Sequence, residues 1–300
     1  MRLVVTMPQI DGERQPMRFA LAGFDMFHGV LDTLVSAGWT PVSLFSFVTD
    51  DQVNSNTEIV SYAAAHRLPL QMSRIDDAAL RALRDLDCDV LVVAGYGWKI
   101  PDWTPYVRHA INFHPAPLPD ARGPYPLMRA ILDGHREWAV TCHCISSGFD
   151  SGDIVAQERF ALAADECHES LQLKVQMAGR RLARQIAYRF DALWAARTPQ
   201  ADGSYWPKPT EADRTLDFTR PLNEVLAKVR ANGLHECIAH LVGSVLYVRR
   251  AIGWHEQHAS EPGTIVHVCR RWYVVAVPDG FVALIEWSAV SLSQRASIGP

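Results

Sequence analysis

The chain has 300 residues, of which 48% are hydrophobic and 21% are charged, and its formal net charge is −4 at pH 7. This composition is that of a globular protein and excludes a disordered or fibrous chain. One hydrophobic core rarely serves 300 residues, so we expect a main domain of roughly 180 residues and a smaller second one. The negative charge provides no general attraction for nucleic acid phosphates or anionic lipid, which favours small-molecule partners.

The sequence also bears on the compartment and on metals. No stretch approaches the roughly 18 apolar residues of a membrane span, and Met1–Gln9 lacks a signal-peptide pattern. We therefore expect a cytoplasmic protein without membrane contact. The six cysteines have no Cys-x-x-Cys spacing, so we expect reduced thiols and no metal. Cys142, His143 and Cys144 alternate along a predicted strand, where neighbours point to opposite faces, so we interpret them as buried strand residues.

The first half of the chain alternates apolar runs with segments of helical periodicity, which is typical of βαβ units around a mainly parallel sheet. The apolar run Asp89–Ala94 has the composition of a strand covered on both faces. The predicted strands are Met17–Ala22, Pro41–Phe47, Leu68–Gln71, Asp89–Ala94, His109–Phe113, Trp138–Ile145 and Ile154–Phe160. The predicted helices are Phe27–Ala37, Glu58–His66, Ala78–Leu86, Pro124–Asp133 and the long His168–Ala196. An α/β domain is therefore expected.

The second half has a different pattern. Turn formers replace periodic apolar residues in Arg197–Thr210, which predicts a linker. A helix at Leu222–Ala231 and short strands at 245–249, 263–267, 272–277 and 281–287 are typical of a small β-barrel or sandwich. The predicted boundaries are an N-terminal extension at 1–16, a main domain at 17–200, a linker at 201–215 and a β-rich domain at 216–300. Leu3–Met7, in the extension, has the apolar run of an additional strand.

Two polar residues at the end of a predicted strand are candidates for chemistry. Asn112 and His114 share one face of the strand, while Phe113 faces the core. They lie at the carboxyl end, where open α/β sheets bind ligands. An amide donor beside an imidazole suits acyl transfer, because the amide stabilises a developing oxyanion and the ring moves a proton. Asp150 follows in a glycine-flanked turn that should expose it, from where it would orient His114 and accept a proton.

Each of these signals is weak by itself. An Asn-x-His pair at a strand end is more often a hydrogen-bonded terminus than a site. Asp150 alone is an ordinary turn residue by the same standard. The interpretation therefore depends on the motifs that accompany these residues.

The complete set of motifs resembles a known family. Asn112-x-His114 is followed by Pro-x-x-Leu-Pro-x-x-Arg-Gly and then by Phe-Asp-Ser-Gly-Asp, with Asp150 lying 36 residues after His114. This pattern, from about Met17 to Trp287, resembles the 10-formyltetrahydrofolate-dependent formyltransferases. The resemblance implies a Rossmann-like fold and formyl transfer from 10-formyltetrahydrofolate to an amine without a metal. Many relatives carry Ser two residues after the catalytic His, whereas this chain has Ala116.

The resemblance also implies catalytic roles and a mechanism. Asn112, His114 and Asp150 take the catalytic positions. A neutral amine would attack the formyl carbon, Asn112 and protonated His114 would stabilise the oxyanion, and Asp150 would help to remove the proton from nitrogen. We expect direct transfer by these three side chains.

The folate site is implied in the same way. Gly95–Pro101 matches the loop whose backbone receives the pterin ring, and Ser147–Asp150 matches the opposite wall. Arg122 is expected mainly to shape the active-site loop, although its side chain also suits an anionic group. The implied folate contacts are Tyr96, Gly97, Trp98, Lys99, Ile100, Leu118, Arg122, Ser147, Gly148 and Phe149.

The linker and the charge pattern bear on which amine accepts the formyl group. Ser204–Thr210 and Leu216–Phe218 resemble the linker of methionyl-tRNA and aminoarabinose formyltransferases, which makes initiator tRNA a candidate. The tRNA enzymes carry a long basic insertion where this chain has Thr49–Thr57, a short loop without Lys or Arg. Residues 205–300 hold ten basic and nine acidic side chains, whereas a tRNA-binding region should be visibly basic. We therefore expect a small amine, such as a nucleotide-linked amino sugar or a specialised metabolite, and no nucleic acid.

Other hypotheses stay open at this point. One is a formyltetrahydrofolate hydrolase, in which water replaces the amine, and another is a non-catalytic folate or nucleotide-sugar binding module. Phe24–His28 and Tyr125–Pro126 are interpreted as acceptor-pocket residues, and a homodimer is a candidate assembly. Most of six aromatic residues in the second half are expected in its core, with a stacking surface as the alternative. These six are Tyr205, Trp206, Trp254, Trp272, Tyr273 and Trp287.

Overall fold

A mainly parallel sheet organises the first half of the chain. The computed structural model describes residues 16–51, 54–292 and 294, so Leu3–Met7 lies outside the described residues. The strands are β1 (Arg18–Gly23), β2 (Thr40–Phe45), β3 (Leu70–Gln71), β4 (Val90–Ala94), β5 (His109–His114), β6 (Glu137–Cys144) and β7 (Ile154–Ala161). They form one sheet in the order β3-β2-β1-β4-β5-β6-β7. Strands β1 to β5 pair in parallel, and β6 pairs antiparallel with both β5 and β7. The predicted Rossmann-like α/β fold is confirmed.

Helices cover both faces of this sheet. They are α1 (His28–Ser36), α2 (Thr57–His66), α3 (Asp77–Asp85), α4 (Pro126–Leu132) and α5 (His168–Ala195), with a 3₁₀ turn at Asp25–Phe27. Residues of β1 alternate between two cores, as the pleat of a strand requires. Phe19 and Leu21 belong to the core beneath α1 and α5, whereas Ala20 and Ala22 belong to the core beneath α3.

Local sequence signals set several helix ends. The Asp76 carboxylate accepts the N–H of Ala79 at 2.8 Å and caps the start of α3. The Asp25 carboxylate accepts the N–H groups of Glu58 and Ile59, both at 3.1 Å, and so ties the start of α2 to the loop after β1. These contacts hold the loops at the carboxyl edge of the sheet in place.

The second half forms a separate sheet. Its helices are α6 (Glu211–Arg214) and α7 (Leu222–Asn232), followed by a 3₁₀ turn at Gly233–His235. The strands are β8 (Cys237–Leu241), β9 (Ser244–His255), β10 (Ile265–Cys269), β11 (Trp272–Val277) and β12 (Gly280–Ser288). They pair antiparallel in the order β10-β11-β12-β9-β8, and α7 packs on them through Leu222, Val225 and Val229. The predicted β-rich second domain is confirmed.

Strand β8 is absent from the sequence prediction. Its five residues, Cys-Ile-Ala-His-Leu, are few and contain only one β-branched side chain, so the sequence gives a weak strand signal. The strand forms because it pairs with β9 and buries Cys237, Ala239 and Leu241 in the domain core. Tertiary packing therefore decides this element.

The expectation that most of the six aromatic residues lie in a core is wrong. Tyr205, Trp254 and Trp272 are 57%, 43% and 52% exposed. Trp272 begins β11 and Trp254 lies next to the end of β9, so both rings lie at the rim of the sheet, where the core does not reach. Trp254 also donates its indole N–H to Glu256 at 2.8 Å. Of the remaining three, Trp206 is buried, while Tyr273 and Trp287 pack against the core of the second domain.

The two halves contact each other through α7 and through the segment before it. Ala231, at the end of α7, belongs to the core of the first domain. The N–H of Trp206 donates to the carbonyl of Arg122 at 2.7 Å, and the N–H of Arg122 donates to the carbonyl of Ser204 at 3.0 Å. The predicted linker is thus bound along the loop that follows β5. Within the described ranges, no helix combines the length and the apolar character needed to cross a membrane.

Removing Phe190 should test the main core. Its ring is fully buried, with centroids 5.6 Å from Trp39 and 5.8 Å from Trp194. Phe190→Ala leaves a cavity and should lower the free energy of unfolding by about 3–5 kcal/mol. Leu173→Ala, at an exposed position of the same helix, is the control and should change it by less than about 0.5 kcal/mol. Urea unfolding followed by circular dichroism measures both, and equal losses would contradict the prediction.

Candidate active site

A cavity of about 500 Å³ lies at the carboxyl edge of the parallel strands. Its wall includes Phe24, Phe47 and Gly95, which follow β1, β2 and β4, and the last residues of β5. This is the edge at which open α/β sheets bind ligands. The volume is that of a small-molecule site.

Asn112, His114 and Asp150 meet in the wall of this cavity. The Nδ2 of Asn112 lies 3.3 Å from Oδ1 of Asp150, and the Nδ1 of His114 lies 3.5 Å from the same oxygen. Asn112 and His114 are alternate residues of β5, so both face the same side of the sheet. Asp150 reaches them from the turn after β6, with a left-handed φ of 53° that Asp tolerates better than most residues. The structure therefore brings the three predicted residues together.

Asp150 is less exposed than its glycine-flanked turn predicted, since only 11% of its side chain is accessible. The turn folds inward because Oδ2 accepts the N–H of Gly123 at 2.9 Å and Oδ1 accepts the amide of Asn112. Burial alone would raise the pKa of this carboxyl group. The imidazoles of His143 and His114 and the N–H of Gly123 outweigh burial and lower the pKa to about 2. Asp150 is therefore a carboxylate at neutral pH.

Hydrogen bonding defines which nitrogen of His114 carries the proton. A backbone carbonyl only accepts, so Nε2 is the donor in the 2.9 Å contact with Ala121. The Nδ1 atom of the neutral ring is then without a proton and lies toward Asp150. Burial lowers the pKa of His114 despite the nearby carboxylate. The resting ring is therefore neutral, and Nδ1 is a proton acceptor.

His143 is a residue of the site that sequence analysis assigned only to a buried strand. It pairs with Asn112 across β5 and β6, and its Nε2 lies 3.0 Å from the Nδ2 of Asn112. Its Nδ1 donates to the carbonyl of Cys144 at 2.8 Å, so Nε2 accepts from the amide. This chain of hydrogen bonds turns the nitrogen of Asn112 toward Asp150. Only the register between β5 and β6 reveals it, and the sequence does not give that register.

Among the described residues, no group of three His, Cys, Asp or Glu side chains is arranged to hold a metal ion. Cys142 is buried in the main core, as the alternation along the strand predicted. Cys144 lies at the end of β6 and is partly buried. The two thiols therefore take no part in the polar cluster.

Three of the implied folate contacts line the cavity, namely Tyr96, Gly97 and Phe149. The hydroxyl of Tyr96 donates to the carbonyl of Ser73 at 3.1 Å and accepts the N–H of Ile75 at 3.0 Å. This ring is thereby fixed. Phe149 is 54% exposed and stands at the mouth of the cavity.

The other implied folate contacts lie outside the cavity wall. The Arg122 guanidinium donates to Gln200 at 2.9 Å and to the carbonyl of Ala201 at 3.0 Å, in agreement with its expected structural role. Leu118 is buried, and its N–H donates to Thr141 at 3.2 Å. Ala116 is also fully buried, so the position where relatives carry Ser does not reach the cavity surface. The remaining residues of this group are Trp98, Lys99, Ile100, Ser147 and Gly148.

Most of the residues interpreted as an acceptor pocket do line the cavity. They are Phe24, Met26, Phe27, Tyr125 and Pro126. Asp25 and His28 are absent from the wall, and the Nδ1 of His28 lies 3.5 Å from the carboxylate of Asp32 on α1. Four further wall residues come from α5, the linker and the second domain. These are His168, Gln172, Tyr205 and His235.

Comparison with known proteins agrees with this geometry. Residues 25–186 match the model of the formyl transferase family. The chain is 30% identical over 226 residues to the methionyl-tRNA formyltransferase of Chromobacterium violaceum, covering 73% of each chain. It is 30% identical over 239 residues to that of Thermus thermophilus, covering 76% of this chain and 75% of the relative. A match to the Janthinobacterium enzyme, at 34% identity, covers 59% of that protein. The chain belongs to the formyl transferase family and is a folate-dependent formyltransferase.

Solved structures share the fold. HypX from Aquifex aeolicus, in complex with tetrahydrofolic acid, aligns with a TM-score of 0.68 at 20% identity over 91% of this chain. The chain spans 44% of the HypX chain. An N-formyltransferase from Helicobacter canadensis, in complex with folinic acid and dTDP-3-aminofucose, aligns with a TM-score of 0.65 at 14% identity, over 91% of this chain and 100% of that one.

Buried histidines should make the fold sensitive to mild acid. Burial lowers the pKa values of His109, His114, His168 and His235, that of His235 to about 3. In the unfolded chain these histidines take up protons near pH 6.5. The stabilisation that comes from their lowered pKa values is therefore fully present above pH 6.5 and is lost as the pH falls below it. The contribution of Asp150 to stability is lost at lower pH, below about 4, because the pKa of its carboxyl group is itself lowered.

Lowering the pH from 7 to 5 should therefore reduce the free energy of unfolding, by on the order of 1–2 kcal/mol from His235 alone. His168 and Arg214 also hold the pKa of His235 down, and Asp50 opposes them. Urea unfolding at pH 7, 6 and 5 measures the loss. His235→Gln should flatten the dependence, and His240→Gln, at an exposed position, should not. Stability that is constant from pH 7 to 5 would contradict the prediction.

Proposed function

We propose that this protein transfers the formyl group of 10-formyltetrahydrofolate to the amine of a small molecule, in the class of nucleotide-linked amino sugars or specialised metabolites. The observation that carries the proposal is the cluster of Asn112, His114 and Asp150 around one point of the cavity wall. These three residues are the proposed catalytic groups. The side of the cavity near Tyr96, Gly97 and Phe149 is the proposed folate side.

The proposed reaction begins when the amine nitrogen attacks the formyl carbon, so that negative charge develops on the formyl oxygen. Asn112 supplies the donor for this oxygen. One of its amide hydrogens is held by His143 at 3.0 Å and the other by Asp150 at the longer distance of 3.3 Å. The second hydrogen is the one that turns to the oxyanion, because its present bond is the weaker.

The amine proton follows a path through His114. The resemblance implied a protonated His114 that stabilises the oxyanion. Burial lowers the pKa of His114, so we propose instead that the ring is neutral when the amine attacks. Its Nδ1 accepts the amine proton, and the imidazolium so formed is stabilised by the Asp150 carboxylate 3.5 Å away. The ring then returns the proton to N10 of the folate as the bond from N10 to the formyl carbon breaks. Tetrahydrofolate and a formamide are the products.

Initiator tRNA is the second candidate acceptor. It is favoured by the similarity to methionyl-tRNA formyltransferases at 30% identity. It is opposed by Thr49–Thr57, which contains no Lys or Arg, and by the charge balance of residues 205–300. Binding the phosphate backbone of a tRNA requires several Lys or Arg side chains. A small amine therefore remains the better-supported substrate.

The domain division and the compartment are further parts of the proposal. Two separate sheets support a catalytic domain at 17–200 and a β-rich domain at 216–300, joined by 201–215. All six cysteines are free thiols, which supports a reducing, cytoplasmic location. The homodimer stays a prediction from sequence.

The function is tested by mixing the protein with 10-formyltetrahydrofolate and a panel of small amines. Release of tetrahydrofolate should require one of the amines. Formate release without any amine would instead identify a hydrolase, and tight, salt-sensitive binding of charged initiator tRNA in a gel shift would identify the tRNA reaction. Absence of turnover with every amine, together with absence of 5-formyltetrahydrofolate binding, would refute the proposal.

Variants of Asn112 and His143 should separate catalysis from positioning. Asn112→Ala removes the proposed oxyanion donor and should lower kcat by about 100- to 1000-fold. His143→Phe keeps the ring volume but frees the Asn112 amide, so kcat should fall by roughly tenfold while the KM for the folate stays unchanged. His143→Gln, which can still accept a hydrogen bond, should recover part of the loss. His66→Ala, on the exposed side of α2, is the control. Equal kcat in His143→Phe and wild type would exclude the positioning role.

A further inference from the structure

Two histidines from different domains meet in the cavity wall, apart from the proposed catalytic groups. His168 is the first residue of α5, and His235 ends the 3₁₀ turn after α7. Their ring centroids lie 4.9 Å apart, with the planes at 82°. Tyr125 stands against His235 with centroids 5.8 Å apart and the planes at 90°. The three rings form one corner of the cavity, which we call the histidine corner.

The histidine corner has free hydrogen-bonding capacity. The Nδ1 of His168 donates to the carbonyl of Ala231 at 3.1 Å, so its Nε2 is an acceptor. Neither ring nitrogen of His235 has a hydrogen-bond partner among the described residues. Gln172 lies one turn after His168 on the same face of α5 and also lines the cavity. Two imidazoles and an amide are therefore available to a ligand.

The charge at the histidine corner disfavours an anion. Burial lowers the pKa values of His168 and His235, so both rings are neutral near pH 7. The first turn of α5, where a phosphate would otherwise be attracted, carries Glu169. A phosphate at this corner would meet two neutral rings and the carboxylate of Glu169, while Glu166 is paired with Lys174.

The cations close to the histidine corner have other partners. The Nη1 of Arg214 donates to the carbonyls of His235 and Glu236, the latter at 2.9 Å. The ammonium of Lys208 lies 5.8 Å from the centre of the Tyr125 ring. The corner is therefore lined by uncharged hydrogen-bonding groups and by aromatic surface.

The backbone fixes His235 in this position. Gly233 has a φ of 50° and a ψ of −121°, a backbone conformation that residues other than glycine rarely adopt. Glycine therefore allows the turn that brings His235 against the start of α5. Arg214 binds the backbone carbonyls of His235 and Glu236. The turn therefore holds His235 in a fixed position in the cavity wall.

We propose that His168 and His235 form the acceptor-binding subsite, which takes hydroxyl or amide N–H groups of a neutral amine substrate and discriminates against acceptors that carry phosphate. This inference rests on the proposed function and deepens it. The second domain thereby supplies a specificity-determining residue. Within the proposed class, amines without a nucleotide are the substrates.

The first test compares His235→Ala, His235→Gln and His240→Ala, using an amine that the wild type formylates. His235→Ala should raise the KM for the amine by about tenfold, the value of one hydrogen bond, and leave the KM for 10-formyltetrahydrofolate within about twofold. His235→Gln should restore part of the difference, and the exposed His240→Ala should match wild type. An unchanged KM for the amine in His235→Ala, or a larger rise for the folate, would overturn the inference.

The second test needs no turnover and measures phosphate discrimination directly. dTDP is titrated calorimetrically into the wild-type protein saturated with 5-formyltetrahydrofolate. No binding with a Kd below about 1 mM is expected, and tighter binding would overturn the inference. Binding of 5-formyltetrahydrofolate itself is the separate readout, because its absence would refute the proposed function and not the phosphate discrimination.

Discussion

The site depends on a carboxylate that has been taken out of water. Leaving such a group unpaired would cost several kcal/mol, so its partners must be held in place. Asp150 has the N–H of Gly123 at 2.9 Å and the amide of Asn112 at 3.3 Å. Gly123 has a φ of 102°, and a Cβ there would meet the carbonyl of Trp206 at 2.4 Å. The loop after β5, the turn after β6 and the linker are thus fitted to one another around a single negative charge.

The two histidines beside that charge differ in their hydrogen bonds. The imidazole of His114 keeps its Nδ1 toward Asp150, whereas His143 has its Nδ1 bound to a backbone carbonyl and its Nε2 bound to Asn112. The first is free to exchange a proton. The second has both nitrogens occupied and orients an amide. Neighbouring strands therefore contribute two chemically distinct imidazoles to one polar cluster.

The sequence predicted the parts of the site that depend on local rules. Asn112 and His114 share a face because a strand alternates, and the motif around Asp150 identified the third residue. His143 depends on the register of β6 against β5, and His235 on the packing of a second domain, so neither follows from local pattern. Strand β8 was not predicted for the same reason. Trp254 and Trp272 belong to a set of aromatic residues expected mostly in the core, but they lie at the rim of the second sheet. Long-range packing is what the sequence left open.

The 3₁₀ turn at Gly233–His235 places a residue of the second domain in the wall of the cavity. Because this turn lies far along the chain from β5, substitutions in it leave the proposed formyl-transfer residues of that strand unaltered. A lineage that duplicated this gene would then be able to acquire a new acceptor by remodelling three residues, while inheriting the donor chemistry intact. The second domain would in that case be the evolving half of the enzyme.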